Sequence, residues 1–163
     1  MDDRPVIRQG TPADAAAAAE IAVLAWMPVY EYRRQLLGDE MYRAEWPQGA
    51  EVKRGEVVRM FREHPDHCIV TELAGRIVGF ATWWGEREKG FAEIGNNAVH
   101  PDAQGRGIGT MQCRRVLEIF REKGFRFARV GTGLDPAHTP ARRQYEKVGF
   151  ALKVPSVTYY LEL

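Results

Sequence analysis

Short runs of β-branched and aromatic residues, bounded by turn residues, recur along the chain and predict strands. They cover residues 6–8, 68–73, 77–84, 93–99 and 127–131. Ala74-Gly75-Arg76 lies between the second and third runs and indicates a hairpin. Residues 151–154 and 157–163 predict a last hairpin, which turns at Pro155-Ser156. Trp83 and Trp84 are neighbours on one strand, so we expect them to face opposite sides of the sheet.

Elsewhere the apolar residues are spaced as they are in helices. One stripe at intervals of three and four residues consists of Cys113, Val116, Leu117 and Phe120. Lys123-Gly124 provides the end of this helix. A later helix opens at Thr139-Pro140 and is closed by Gly149. Strands that alternate with long helices predict an α/β fold with a mixed sheet.

The N-terminal third is predicted to be mainly helical. Thr11, Pro12 and Asp14 have the spacing of a helix start, and the following alanines favour a helix. We expect Pro28 to end this helix, because proline removes a backbone hydrogen bond. Two helical pieces are predicted within residues 29–64, separated by Pro47-Gln48-Gly49. The second places Val57, Val58 and Phe61 toward the core.

Composition narrows the class of protein. The chain has 163 residues, so we expect one domain spanning residues 1–163. It is 45% hydrophobic and 28% charged, which is typical of soluble globular proteins. Its formal net charge of +1 provides no attraction to nucleic acid or to an anionic membrane. Residues 1–4 lack an apolar signal core, and the longest apolar stretch, residues 21–30, is too short to span a bilayer.

The two cysteines, Cys68 and Cys113, form no metal-binding or redox motif. We therefore expect reduced, structural thiols in a cytoplasmic protein, and no metal site.

A glycine-rich segment follows the predicted strand 93–99. Gly105, Gly107 and Gly109 alternate immediately before the helix that carries Cys113. Glycine lets a backbone turn tightly and approach a ligand closely. A helix N-terminus supplies unpaired N–H groups and favours a negative charge. The segment therefore predicts a phosphate site; the alternative is a tight turn in solvent.

Two common phosphate-binding motifs fail on spacing. A P-loop has Lys between its last glycine and Ser or Thr, whereas Gly109 is followed directly by Thr110. The dinucleotide fingerprint needs a third glycine at position 110 or 112, and these positions hold Thr110 and Gln112. The spacing that remains is Gln104-x-x-Gly107-x-Gly109.

This spacing resembles the acetyl-CoA pyrophosphate loop of the GNAT superfamily of N-acetyltransferases. A second segment resembles the superfamily's other signature, Asn-x-x-Ala-x-x-x-Tyr-x-Lys-x-Gly-Phe. It matches at Ala141, Tyr145, Lys147, Gly149 and Phe150. His138 stands where the family has Asn. Phe91-Ala92-Glu93-Ile94 is similar to the start of a strand in the histone-acetylating branch, so the resemblance covers roughly residues 67–163.

The resemblance implies a mixed, largely antiparallel central sheet, splayed to hold acetyl-CoA and flanked by helices. Acetyl-CoA would be the co-substrate, with no metal. The acceptor would be a primary amine of a small molecule or peptide, with no nucleic-acid or membrane partner. Homodimers are frequent in the family, so self-association is a further expectation. The cofactor-binding residues implied are Ala98, Val99, Gln104, Gly105, Arg106, Gly107, Ile108, Gly109, Thr110, His138 and Tyr145.

Direct acetyl transfer benefits from a base for the amine and an acid for the departing thiolate. By resemblance, Glu93 is the candidate base and Tyr145 the candidate acid. The alternatives are a solvent-facing carboxylate and an aromatic ring that packs on the core. Asn96 and Asn97 are unusual within a strand and predict a bulge that splays the sheet. Backbone N–H groups beside Ala98 or Val99 would stabilise the oxyanion.

Two other functions are also compatible with the sequence. A non-catalytic acyl-CoA-binding module would keep the glycine segment without the proton-transfer groups, and a nucleotide-binding protein would use the segment for ATP or NAD. The family builds its acceptor site from segments that correspond to residues 26–50 and 153–160. These are rich in aromatic residues and balanced in charge, so they indicate no preference for a charged acceptor.

Overall fold

The computed structural model describes residues 4–163; residues 1–3, part of the N-terminus considered above, lie outside the described chain. Five strands form one sheet in the order β1-β2-β3-β4-β5. The first four are antiparallel neighbours, and β4 pairs with β5 in parallel. The strands are β1 Val6–Gln9, β2 Cys68–Leu73, β3 Arg76–Glu86, β4 Phe91–Val99 and β5 Phe127–Val130. The helices are α1 Ala15–Glu45, α2 Ala50–Glu63, α3 Ile108–Glu122 and α4 Thr139–Lys147. The mixed, helix-flanked sheet is confirmed.

Two apolar clusters cover the two faces of the sheet. Helices α1 and α2 pack on one face, where Val57 and Phe61 are fully buried against Phe80 of β3. Helices α3 and α4 pack on the other, where Val116 contributes to the cluster that contains Trp83. Trp83 is 3% exposed and Trp84 is 42% exposed, so the two indoles face opposite sides as predicted.

Helix α1 is longer than the sequence predicted. The expected end at Pro28 is wrong: the helix continues through Pro28 to Glu45, with one non-helical residue, Gly38, at φ +77°. Proline removes a single intrahelical hydrogen bond. Burial of Ala22 before it and Val29 after it holds the helix against the rest of the fold. The run 12–45 is long and apolar enough to cross a membrane by length and composition. Its buried alanines instead form part of the core.

Asp14 fastens the start of α1 to the first strand. Its carboxylate accepts hydrogen bonds from the backbone N–H and the hydroxyl of Thr11, both at 2.8 Å, as the predicted helix start requires. It also accepts two hydrogen bonds from the Arg8 guanidinium, at 2.8 Å each. Hydrogen bonding from Arg8 lowers the pKa of Asp14 to about 2, so this contact is ionic at neutral pH.

The predicted C-terminal hairpin is wrong. Residues 151–163 form no strand, and all of them are exposed. An alternating apolar pattern shows that a segment can form a strand, but a strand also needs a partner to satisfy its backbone hydrogen bonds. Within residues 4–163 this segment has no such partner.

Candidate active site

The centre of the molecule is a split between β4 and β5. Parallel pairing extends from Phe91 to Ile94 on β4 and from Phe127 to Val130 on β5. Beyond these residues β4 continues to Val99 without β5 beside it. The two strands separate and open a cavity of about 970 Å³ between them. This opening is the place where a ligand can meet strand backbone directly.

A β-bulge in β4 accompanies the split. Ala81 of β3 pairs with Asn97 and Trp83 pairs with Ile94, so Gly95 and Asn96 lie opposite Thr82 alone. The Asn96 backbone N–H and side-chain amide donate to the Thr82 hydroxyl at 2.9 and 3.1 Å. This is the bulge that the paired asparagines predicted, and it turns the end of β4 away from β5.

The pairing register decides which backbone groups face the split. The His100 N–H donates to the Val78 carbonyl at 2.8 Å, so the N–H of His100 points toward β3. N–H groups alternate in direction along a strand. Those of Asn97 and Val99 therefore point into the split, and that of Ala98 points toward β3. Two donors, one residue apart, line the opening.

A fully buried amide joins α3 to this part of the sheet. Gln112 Nε2 donates to the carbonyl oxygens of Phe80 and Ala98 at 3.1 and 3.3 Å, and it also contacts Asn97 Oδ1. Gln112 Oε1 accepts from the Thr71 hydroxyl at 2.7 Å. A buried amide is stabilising only when its groups are satisfied, as here. This role of Gln112 was not predicted; its signal in the sequence is a polar residue beside the apolar stripe of the helix.

The glycine segment forms the turn into α3. Gly105 and Gly107 both have φ +77°, a conformation that favours glycine. Gly107 directly precedes the first residue of α3, so the free N–H groups of the first helical turn border the cavity. Gln104 Nε2 donates to the Val99 carbonyl at 3.0 Å and ties the turn to the end of β4. A Cβ at Gly109 would overlap the Gln144 side chain, so that glycine permits the approach of α4.

The structure brings the predicted cofactor-binding residues together around one cavity. Ten of the eleven line it, and Arg106 does not. Those that do are Ala98, Val99, Gln104, Gly105, Gly107, Ile108, Gly109, Thr110, His138 and Tyr145. Other residues, outside that predicted set, line the cavity too, among them Trp26, Asn97, Arg143, Gln144 and Lys147. Arg143 and Lys147 lie four residues apart on α4, a spacing that places both cations on one helix face.

Tyr145 packs on the core with its ring and also lines the cavity. Its ring belongs to the core cluster and lies edge-on to Phe150, with ring centroids 6.1 Å apart. Tyr145 is nevertheless part of the cavity lining, and its hydroxyl makes no hydrogen bond to residues 4–163. Burial, with a smaller contribution from Cys113, raises the pKa of Tyr145 above its ordinary value. The hydroxyl therefore keeps its proton at neutral pH.

Cys113 adjoins the same site as a neutral thiol. Its Sγ accepts hydrogen bonds from the amides of Asn97 and Gln144, at 2.8 and 3.1 Å. Burial raises the pKa of Cys113 to about 11, although those two hydrogen bonds act in the opposite direction. Cys113 and Cys68 are both free and buried, as expected. A thiol that stays protonated is a poor nucleophile.

Glu93 lies outside the cavity. Its carboxylate accepts a hydrogen bond from Arg129 Nε at 2.6 Å, and its side chain is 39% exposed. The residue sits where β4 and β5 are still paired, one residue before the last pair. The structure therefore does not place Glu93 beside Tyr145.

His138 borders the cavity in a fixed orientation. Its Nδ1 lies 2.6 Å from Asp135 Oδ2, and its backbone N–H donates to Asp135 Oδ1 at 3.2 Å. Desolvation acts to raise the pKa of Asp135, but hydrogen bonding and the charge of His138 lower it overall. The ring is held by an ionised carboxylate rather than free to reorient.

A second, smaller cavity of about 340 Å³ lies on the α2 side of the bulge. Gly95 lines both this cavity and the first one. Glu56 is part of this lining; its Oε1 lies 3.4 Å from Asn96 Nδ2, and its Oε2 accepts from Lys53 at 2.7 Å. In residues 4–163 no group of three or more His, Cys, Asp or Glu is arranged to hold a metal ion.

The sequence profile of the Acetyltransferase (GNAT) family matches residues 26–150, most of the chain. The chain belongs to this family. An uncharacterized N-acetyltransferase of Methanocaldococcus jannaschii is 31% identical over 99 residues. That match covers 58% of this GNAT chain and 43% of the relative, so the chain spans less than half the length of that curated relative.

Solved structures share the fold of this GNAT chain. A PaiA N-acetyltransferase of Thermoplasma acidophilum in complex with coenzyme A has a TM-score of 0.69 at 18% identity, with 94% of this chain and 93% of that chain covered. Diaminobutyrate acetyltransferase of Paenibacillus lautus, in complex with L-2,4-diaminobutyric acid and coenzyme A, has a TM-score of 0.62 at 16% identity. The match covers 90% of this chain and 75% of that chain.

The buried amide of Gln112 predicts that Gly79 cannot carry a side chain. A Cβ at Gly79 would overlap Gln112 Oε1 and lie 3.0 Å from the Ala98 carbonyl oxygen. We expect Gly79→Ala to lower the free energy of unfolding by about 1–3 kcal/mol through overpacking. The control is Gly55→Ala on α2, where a Cβ meets nothing within 4 Å; there we expect a gain of up to about 1 kcal/mol. Urea denaturation measures both, and equal stability of the two variants would contradict the prediction.

Proposed function

We propose that this protein is an acetyl-CoA-dependent N-acetyltransferase that moves an acetyl group to a primary amine of a small molecule or peptide by direct transfer. The observation that carries the proposal is the split between β4 and β5. One cavity there joins a helix N-terminus, two strand N–H donors and a buried tyrosine hydroxyl. A phosphate-bearing thioester needs these three features along its length.

The pyrophosphate of CoA would bind at the turn from Gly105 to Thr110. Backbone N–H groups at the start of α3 and the positive end of the helix dipole favour the negative charge there. The glycines at 105 and 107 leave the backbone accessible, since no atom lies within 4 Å of where a Cβ would be. Arg143 and Lys147 of α4 add positive charge to the same cavity.

The pantetheine arm and the thioester would lie along β4. The N–H groups of Asn97 and Val99, which point into the split, suit the amide groups of the arm and the thioester oxygen. When an amine attacks the thioester carbonyl, the carbonyl oxygen becomes an oxyanion. A fixed backbone donor stabilises that charge without reorganisation.

Tyr145 would act on the leaving group. Collapse of the tetrahedral intermediate breaks the carbon–sulfur bond and releases the thiolate of CoA. The Tyr145 hydroxyl is protonated and makes no hydrogen bond to the described residues, so it is free to donate its proton to that sulfur. The deprotonated tyrosine is then restored by a proton from solvent or from the amine.

The acceptor amine would approach through the second cavity, which shares the lining residue Gly95 with the first. An alkyl amine has a pKa of about 10.4 and must lose a proton before it attacks. Glu93 as the base stays a proposal that rests on the family resemblance; because it does not line the cavity, it would act through a water molecule. The acceptor of the Paenibacillus enzyme, L-2,4-diaminobutyric acid, belongs in a first panel with other amino acids, polyamines, aminoglycosides and peptide N-termini.

We expect Gly107→Val to weaken CoA binding at least tenfold, because the added side chain would occupy the space that the phosphate must enter. The matched control is Gly124→Val at the other end of α3. Gly107 and Gly124 have φ +77° and +79°, so the two substitutions impose similar backbone strain. Calorimetry with CoA measures both affinities. A folded Gly107→Val protein that binds CoA as tightly as the wild type contradicts a phosphate site at this turn.

We expect Tyr145→Phe to lower kcat by about 10²–10⁴-fold, the range typical of general acid–base catalysis, with CoA affinity little changed. The substitution removes the donor and keeps the ring in the core. Release of free thiol from acetyl-CoA reports turnover. Wild-type kcat in Tyr145→Phe would show that another group protonates the thiolate.

We expect Glu93→Gln to depress kcat/KM near neutral pH and to recover as pH rises and free amine becomes abundant. Glu86→Gln is the matched control, because Glu86 also pairs with Arg129, at 3.2 Å, but lies farther from the split. Rate profiles between about pH 6 and pH 10 cover the onset of amine deprotonation. If the Glu93→Gln profile runs parallel to that of Glu86→Gln, the base is elsewhere, and Glu56 in the second cavity is the next carboxylate to replace.

A further inference from the structure

The second cavity, on the α2 side of the bulge, has a near end and a far end relative to the split. Thr82 and Asn96 mark the near end, beside Gly95, which lines both cavities. Trp84, two residues along β3 from Thr82, marks the far end, where its indole lies edge-on to the His64 ring with centroids 4.8 Å apart. The volume of about 340 Å³ is that of a small-molecule site.

Helix α2 lines this cavity with charged side chains from one end to the other. Glu56, Arg59 and Glu63 recur at intervals of three and four residues, so they share one face of the helix. Glu56 lies at the near end, with its Oε1 3.4 Å from Asn96 Nδ2. Since a helix rises about 1.5 Å per residue, Arg59 follows about 4.5 Å farther along the axis and Glu63 about 10.5 Å. The charges therefore run negative, positive, negative away from the split.

Arg59 and Glu63 have no partner in the fold. Within residues 4–163 neither side chain makes a hydrogen bond or an ion pair, although their spacing of four residues would allow them to pair with each other. Lys53 and Arg54, earlier on the same helix, both form ion pairs, at 2.7 and 3.0 Å. Two unpaired opposite charges that line one cavity complement a ligand that carries both signs.

We infer that the acceptor is an α-amino acid with a cationic side chain, such as lysine, and that it is acetylated on its α-amine. This inference rests on the proposed function. The α-nitrogen would lie at the near end beside Gly95, and the α-carboxylate would pair with Arg59. The side-chain ammonium, carried on a four-carbon stem, would lie at the far end between Glu63 and the indole of Trp84, which is 42% exposed.

The order of the charges disfavours simpler acceptors. A diamine without a carboxylate would leave Arg59 unpaired or bring a second cation against it, and an acidic side chain would face Glu63. The carboxylate and the side-chain cation are therefore two separate requirements. The reaction is the one proposed above: the α-nitrogen bonds to the acetyl carbon, the carbon–sulfur bond breaks, and CoA leaves as its thiol with one proton released to solvent.

Three amines that differ by one charged group test the inference. They are L-lysine, L-lysinamide, which lacks the carboxylate, and L-norleucine, which lacks the side-chain ammonium. Release of free thiol from acetyl-CoA gives kcat/KM for each amine, and NMR of the product identifies the acetylated nitrogen. We expect kcat/KM for lysine to exceed each of the other two at least about tenfold, with the acetyl group on the α-nitrogen, because each analogue loses one charge-assisted contact.

Substitutions on α2 assign each requirement to its residue. Arg59→Gln should lower the lysine-to-lysinamide ratio of kcat/KM at least about fivefold and leave the lysine-to-norleucine ratio unchanged, and Glu63→Gln should do the reverse. Arg62→Gln is the matched control, because Arg62 is exposed on the same helix and lies outside the cavity lining. It should change neither ratio. Circular dichroism of each variant verifies the fold.

Four results would overturn the inference and leave acetyl transfer intact. They are equal kcat/KM for the three amines, transfer to other amines but not to lysine, acetylation of the side-chain nitrogen, and ratios that Arg59→Gln and Glu63→Gln leave unchanged. A protein that acetylates no amine at all would instead contradict the proposed function. Calorimetry with lysine and CoA-saturated protein then tests the inference without turnover. Binding that weakens at least about tenfold in Arg59→Gln supports it, and lysine binding that is absent or unchanged by the substitution overturns it.

Discussion

The site depends on a few buried amide hydrogen bonds that hold β4 away from β5. Asn96 donates to Thr82 and fixes the bulge, and Gln112 donates to the carbonyls of Phe80 and Ala98 from α3. Unpaired, each of these buried amides would cost about 1–3 kcal/mol. The chain satisfies them only when the strand is bulged and α3 lies against its end. The geometry that opens the split therefore also provides hydrogen-bond partners for these buried amides.

The same arrangement places the chemical groups of the site relative to one another. Gln112 lies one turn into α3, so it positions the N-terminus of that helix, and the glycine turn before it, against β4. Asn97 and Gln144 both donate to Cys113, which links the bulged strand to α4 and thereby to Tyr145. The glycine turn, the strand donors and the tyrosine hydroxyl are thus held by one connected set of side chains. A lesion in that set is expected to disturb both binding and turnover.

Much of the fold could be predicted from the sequence because its causes are local. The glycine turn, the ends of the helices and the hairpin at Ala74-Gly75 follow from backbone preferences of neighbouring residues. Gln112 escaped prediction because its partners lie far along the chain, on β2, β3 and β4. The prediction of a hairpin at residues 151–163 was wrong because alternating apolar and polar residues indicate a strand but do not show which strand it pairs with. The position of Glu93 relative to the cavity could not be predicted either, since the bulge that follows it breaks the regular alternation of faces along β4.

Backbone hydrogen exchange resolved by residue tests the central claim, that acetyl-CoA lies in the split and pairs with β4. Residue-specific amide exchange would be measured by NMR in the free protein and at saturating CoA. The register predicts that the Asn97 and Val99 amides slow at least tenfold with CoA, because they point into the split. The Ala98 amide, already directed at β3, should change little. Saturating CoA that leaves Asn97 and Val99 unchanged, or that slows Ala98 alone, would contradict the account.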